Sequence, residues 1–234
     1  MRVEAASDSS LFISFGDSIS MEAHRRVISL FRGVAGLRDP RIYDLHPAYS
    51  SLLIDFDPLL LTHEQLETLA APLLLESPIL ESAAWNAEGG GLIEIPVCYE
   101  PEFAPDLASV ARHAALTEEQ VIATHAGGDY IVYFLGFAPG FAYLGGLASS
   151  LHVPRLATPR KQVSAGAVGI GGAQTGIYPN VSPGGWQLIG RTPLRMFDAS
   201  SDPPSRLQPG DRVRFRRIDR GEFDRLAQQP ETVR

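Results

Sequence analysis

The sequence predicts an α+β N-terminal domain over residues 1–90, followed by a mainly-β barrel domain over residues 91–234, on three observations. Apolar residues in the first part recur at strand and then helix spacing in the order β-α-β-β-α, which is most of a split βαβ, or ferredoxin-like, unit. Gly89-Gly90-Gly91 favours chain flexibility over any packed element and marks the boundary. Beyond it, twelve of the 22 glycines fall between Gly136 and Gly190, as short strands joined by tight turns into a small closed barrel require.

Each element has its own signal. Leu11, Ile13 and Phe15 alternate as a half-buried strand does, and Asp17 to Ser20 offers capping side chains before Val27, Leu30, Phe31 and Val34 recur at helical spacing. Strands are predicted at Arg41 to His46 and Ser51 to Phe56, with Pro47-Ala48-Tyr49-Ser50 as the hairpin turn. Thr62 and Gln65 make a capping box for a helix whose apolar face is Leu66, Leu69, Ala70 and Leu73, with Pro72 expected to kink or shorten it. A fourth strand is expected between Leu80 and Val97, without a sharper position. In the second part, Leu92 to Val97 reads as a strand, and Ala104 to Ala114 and Glu118 to Thr124 read as short helices, the latter with a capping box at Thr117 and Gln120. Tyr130 to Leu135 and Asp211 to Arg216 read as strands, and the polar tail from Gly221 is expected to fray.

Composition narrows the function classes. With 44% hydrophobic residues the chain can bury a real core, and a net charge of −7 provides no positive field for a nucleic-acid backbone. There is no apolar run near the ~20 residues that cross a bilayer, and no signal-type apolar core after Met1-Arg2-Val3-Glu4, so a membrane role is not expected and a cytoplasmic location is. Cys98, the one cysteine, is expected to be a buried structural thiol.

The densest chemical signal runs from Val163 to Pro193. Its glycines let backbone approach a ligand, while Gln174, Thr175, Tyr178, Ser182 and Arg191 bring donors and acceptors to one short span, which points to a pocket for a small polar ligand. The competing reading is that these glycines only turn barrel corners. Gly169-Ile170-Gly171-Gly172 is not followed by Gly-Lys-Ser or Gly-Lys-Thr, so the usual phosphate loop is missing. Upstream, Phe134 to Gly146, with Phe137 and Phe141, either walls a pocket or offers an apolar surface to another subunit. Arg155 and Arg160 suit a carboxylate of a substrate or partner, or structural ion pairs. The six histidines show no metal-ligand spacing, and no zinc is expected. His125, at a helix end before Gly127-Gly128, is the best functional histidine, with a solvated, protonated capping role as the alternative. Glu100 and Asp106 are candidate acid or base groups.

Taken in order, Ile95 to Tyr99, Asp106-Leu107, Leu135 to Leu144, Pro154-Arg155, Pro159-Arg160, Ala165-Gly166, Gln174 to Pro179, Ser182 to Trp186, Gly190 to Pro193, Phe197-Asp198 and Pro209 to Asp211 closely resemble the KipI, or allophanate hydrolase subunit 1, family. Phe15 to Asp17, Pro47 to Ser51 and Asp55 to Pro58 extend the resemblance more loosely through the N-terminal half. Ser164 departs from the pattern, where proline would precede Ala165-Gly166. The resemblance implies a ferredoxin-like domain followed by a cyclophilin-like β-barrel. It also implies the role of the B component in an ATP-dependent 5-oxoprolinase, with subunits A and C as partners and ATP bound by the complex. On this reading His125, Arg160, Gln174 and Tyr178 are the catalytic candidates, and Phe137, Phe141, Thr175, Ser182, Trp186 and Arg191 the substrate contacts. The other readings that it carries are an inhibitor of sensor histidine kinase autophosphorylation and a subunit of the urea-degrading allophanate hydrolase or urea carboxylase type. No biotin-attachment feature is present in the sequence.

Overall fold

The structure is a computed structural model that describes residues 1–75 and 92–229. The chain divides into two compact units, Met1–Gly90 and Gly91–Arg234. In the first, β2 (Ser10–Ser14) buries Leu11 and Ile13, and Ser20 then caps α1 (Met21–Leu37) by accepting the Ala23 N–H at 3.1 Å. A hairpin follows, made of β3 (Ile42–Pro47) and β4 (Ser51–Phe56). Next, α2 (His63–Leu75) opens on the expected capping box, in which the Thr62 N–H donates to Gln65 Oε1 at 2.9 Å and the Gln65 N–H to Thr62 Oγ1 at 3.3 Å. It continues past Pro72 to Leu75. One face of the sheet, with Leu11, Ile13, Leu52, Ile54 and Phe56, packs on Val27, Leu30 and Val34 of α1 and on Leu66 and Ala70 of α2.

The fourth strand differs from expectation. The antiparallel order is β1-β2-β4-β3, so the place beside β2 is taken by β1 (Arg2–Ser7), which arrives before the first predicted strand. All six of its residues are exposed, so it lacks the inward apolar alternation by which a strand is recognised in sequence. Of the span in which a fourth strand was expected, Leu92 to Val97 belongs to the barrel, while residues 80–91, including Gly89-Gly90-Gly91, lie outside the described residues.

In the second unit seven strands close a barrel: β5 (Leu92–Cys98), β6 (Tyr130–Leu135), β7 (Ala142–Gly145), β9 (Ala167–Gly171), β10 (Gln174–Ile177), β12 (Gln187–Arg191) and β13 (Arg212–Ile218). Around the barrel they follow the order β10-β7-β6-β13-β5-β12-β9, with β13 parallel to β5 and the other pairs antiparallel. Alternate residues such as Ile95, Val97, Val132, Leu144, Val168, Ile170, Ile177, Ile189, Val213 and Phe215 form one core. Val110 of α3 (Leu107–Ala114) and Val121 and Ile122 of α4 (Glu118–Ala126) join the same core. The Thr117 and Gln120 capping box is formed at the start of α4. Outside the barrel, β8 (Arg160–Val163) pairs with β11 (Ser182–Gly184). Cys98 is fully buried.

Of the segment expected to fray, residues 221–227 are helical. They belong to α5 (Arg220–Ala227), where the Asp219 side chain accepts the Glu222 N–H at 2.8 Å and Phe223 stacks on Phe103 at 4.4 Å beside Cys98 and Ile218. Phe223 and Leu226 dock an otherwise polar helix, with Glu222 paired to Arg216 at 2.9 Å, a signal that average polarity hides. Among the described residues, no helix is long and apolar enough to cross a membrane.

Candidate functional site

Strand pleating divides the predicted site residues between two environments. On β10, Thr175 and Ile177 point into the barrel, and Gln174 and Gly176 therefore share the outer face. Inside, the Thr175 hydroxyl donates to the Gly169 carbonyl at 2.9 Å, so it meets His125 Nε2, also at 2.9 Å, as an acceptor. That fixes the hydrogen on Nε2 and leaves Nδ1 to accept the Tyr99 hydroxyl at 2.8 Å. The imidazole also stacks on Phe215 at 4.5 Å and has no exposed surface. Burial pushes its pKa from the ordinary 6.5 down to about 3. The solvated, protonated capping role expected for His125 is thus replaced by a neutral rivet that ties α4 to β10, because the last turn of α4 faces the core rather than water.

Outside, the glycines act as a bed for an aromatic side chain. A side chain at Gly171 would bring its Cβ to 2.6 Å from Trp186 Nε1, and one at Gly176 to 3.2 Å from Trp186 Cζ3. Only bare backbone lets the indole lie flat on these strands. Trp186 then packs edge-on to Phe141 at 5.5 Å and Tyr143 at 5.9 Å, and Phe141 edge-on to Tyr178 at 5.3 Å. Together with Phe137, Arg155, Gly184 and Gly185 they line an open cleft of about 80 Å3. Burial raises the pKa of the Tyr178 phenol, against a lowering from the Trp186 backbone and the positive charges of Arg155 and Arg160, so the hydroxyl keeps its proton at neutral pH.

The rim of the cleft carries backbone strain. Phe137 has φ +66°, and the Ala138 N–H closes back on the Gly136 carbonyl at 2.7 Å, a three-residue γ-turn with the side chain 60% exposed. A bulky residue held at positive φ costs roughly 1–3 kcal/mol and is maintained where it serves a site.

The two candidate arginines have different surroundings. Arg160 Nη2 donates to Asp106 Oδ1 at 2.7 Å, and Asp106 Oδ2 accepts the Leu188 N–H at 2.7 Å, so this pair laces the start of α3 to β12. Arg155 makes no ion pair among the described residues and lies over the Trp186 ring at 5.8 Å. Arg191 points elsewhere, with Nε on the Ala165 carbonyl at 2.9 Å and its guanidinium 5.7 Å from the Phe103 ring. Ser182 sits on β11 opposite Val163, its Oγ buried without a hydrogen-bond partner. Glu100 accepts the Arg220 N–H at 3.3 Å. Of the predicted residues, Phe137, Phe141, Tyr178 and Trp186 meet in the cleft; His125, Arg160, Gln174, Thr175, Ser182 and Arg191 are not among its lining. Tyr143, not singled out in the sequence, lines it through the two-residue spacing from Phe141. That period was legible in Phe141-Ala142-Tyr143.

Residues 1–207 match the model of the family described as carboxyltransferase domain, subdomain C and D. A Bacillus subtilis protein named as the B component of 5-oxoprolinase is 38% identical over 227 residues, 95% of this chain and 95% of its own. An Escherichia coli O157:H7 protein of the same name is 56% identical over 135 residues, 58% of this chain and 62% of its own. Among solved structures, a conserved uncharacterized protein of Pyrococcus horikoshii is 44% identical with a TM-score of 0.57, over 95% of this chain and 100% of that one. The crystal structure of TTHA0988 is 37% identical with a TM-score of 0.78 over 90% of this chain, which spans 40% of that longer one. The chain therefore belongs to the carboxyltransferase subdomain C and D family, in the branch that includes the B component of 5-oxoprolinase.

Proposed function

We propose that this chain is the B component of an ATP-dependent 5-oxoprolinase, which acts with subunits A and C to open the lactam of 5-oxoproline (pyroglutamate) to L-glutamate. The observation that carries the reading is the 38% identity to the Bacillus subtilis B component, with 95% of each chain aligned. In the finer description that accompanies it, the N-terminal unit is ferredoxin-like, with β1 in the fourth strand position, and the barrel is cyclophilin-like. The complex works in the cytoplasm.

A lactam resists water because amide resonance feeds electron density into its carbonyl, and ATP hydrolysis supplies the drive to overcome this. Among the described residues, neither of the two clefts on the barrel unit suits a nucleoside triphosphate. The aromatic cleft is about 80 Å3. A second cleft of about 640 Å3 is lined by Glu100, Glu118, Glu119, Asp219 and Glu222, and its Arg217 is already bridged to Glu119 at 2.6 Å. Carboxylates at that density repel polyphosphate. In this reading ATP is bound by the complex, and the aromatic cleft of this chain binds and orients the substrate. Trp186 and Phe141 exclude water from one side of the ring, and Tyr178, which lines the cleft and keeps its proton, is the donor that this reading assigns to the lactam oxygen.

The test is reconstitution. Co-expressed with its A and C partners, the chain is expected to support ATP-dependent glutamate release from 5-oxoproline, and omitting it should abolish that release. Full activity without this chain ends the reading.

A further inference from the structure

The cleft has one charged group with no ion-pair partner among the described residues, and the backbone that carries it is tied on both sides. The Leu156 N–H donates to the Gly185 carbonyl at 2.7 Å, and Gln187 Nε2 donates to the Pro154 carbonyl at 3.2 Å. These bonds tie the backbone on either side of Arg155 to the residues flanking Trp186, and the exposed side chain places its guanidinium over the indole at 5.8 Å. Arg160, five residues on, is consumed by Asp106, whereas Arg155 has its full fork of donors available among the described residues. Across the cleft, the face of Phe137 that Phe141 and Tyr178 do not cover is open to solvent, held there by the γ-turn. The opening is small, which suits one compact ring lying against the aromatic walls with a charged substituent left at the mouth.

We propose that Arg155 is the carboxylate-binding residue of this cleft, and that the cleft selects a small five-membered ring bearing a carboxylate, holding the carboxylate on the guanidinium fork and the ring against Trp186. The proposal rests on the 5-oxoprolinase reading for the identity of the ligand, and it adds the group that separates an amino-acid lactam from a plain lactam. Arg155 binds substrate equally before and during ring opening, because the carboxylate stays outside the bond that breaks. Its loss therefore acts on KM and not on kcat.

The experiment uses the assembled three-component complex carrying Arg155→Ala, with Arg155→Lys as the conservative variant. Arg155→Ala is expected to raise the KM for 5-oxoproline about tenfold to hundredfold, the worth of one hydrogen-bonded charge, at a kcat within about twofold of the unaltered enzyme. Arg155→Lys should recover part of the loss, since it keeps the charge but not the fork. Inhibition by 2-pyrrolidinone, which lacks the carboxylate, should be equal in all three enzymes. An exposed arginine without an ion pair leaves melting temperature unchanged, so a fold effect is separable. An unchanged KM in Arg155→Ala overturns the proposal while leaving the assignment to 5-oxoprolinase intact. If the unaltered complex does not turn over 5-oxoproline, that assignment fails. Calorimetric titration of the complex with 5-oxoproline and proline then decides the cleft: binding that disappears in Arg155→Ala upholds the carboxylate site, and no binding, or binding that Arg155→Ala leaves intact, overturns it.

Discussion

Replacing His125 with alanine is expected to destabilise the barrel unit by about 3–5 kcal/mol, the range for emptying a buried aromatic-sized site. Two effects add. The imidazole packs against Phe215 and Tyr130 at 4.5 and 5.5 Å, so its removal opens a cavity in the main core. The Tyr99 hydroxyl also loses its acceptor while buried. His125→Phe fills most of the volume but leaves Tyr99 unpaired, and about 1–3 kcal/mol is expected for it. Urea unfolding of the full chain separates the two variants. The same side chain imposes a pH dependence. In the folded chain it takes a proton only near pH 3, whereas in the unfolded chain it does so near 6.5. Between those values the unfolded state binds the extra proton, so stability is full above about 6.5 and falls as pH drops, by about 1.4 kcal/mol per pH unit. His125→Phe should flatten that slope, and an equal slope in both proteins would show that His125 is not buried neutral.

Asp106→Ala is the second large effect, expected at about 2–3 kcal/mol. The carboxylate satisfies the buried Leu188 N–H with one oxygen and Arg160 with the other, and its own backbone N–H donates to the Leu188 carbonyl at 3.0 Å. Alanine strands the Leu188 N–H, while Arg160, with its side chain 29% exposed, regains part of its partners from water. Asparagine can still accept the Leu188 N–H and should cost about 1 kcal/mol. Thermal unfolding that ranks asparagine as the worse replacement would mean that charge, and not the backbone hydrogen bond, is what Asp106 provides. Neither variant removes a group that lines the cleft.

The sequence revealed elements wherever local chemistry and burial agree. Thr62 and Thr117 were readable as caps because a side chain and the N–H it accepts lie three residues apart, and both bonds are formed; within the capping span Asp17 to Ser20, it is Ser20 that caps α1. β1 was not readable, because an edge strand with every side chain exposed carries no alternation. The helix at Arg220–Ala227 was hidden by its charge, with only Phe223 and Leu226 as apolar contacts to the barrel. The glycine-rich stretch was singled out for backbone approach to a ligand; in the structure Gly171 and Gly176 make room for Trp186. Gln174-Thr175 looked like two equivalent polar neighbours, yet adjacent strand residues face opposite ways, and Thr175 went to the His125 rivet. Nothing local distinguishes Arg155 from Arg160, since what separates them is Asp106, 54 positions from Arg160 in sequence.

The most direct measurement is kcat/KM for 5-oxoproline in the assembled complex carrying Tyr178→Phe, read beside Thr175→Val. Tyr178 lines the cleft and Thr175 is buried in the barrel, three residues apart in one segment. Tyr178→Phe is expected to lower kcat/KM by about tenfold, the worth of one hydrogen bond, with only a small drop in melting temperature, since the ring packing stays and one hydrogen bond to the Trp186 backbone is lost. Thr175→Val should lower melting temperature and leave kcat/KM within about twofold. Normal kinetics in Tyr178→Phe together with impaired kinetics in a stable Thr175→Val would contradict the account, since substrate would then be handled from inside the barrel.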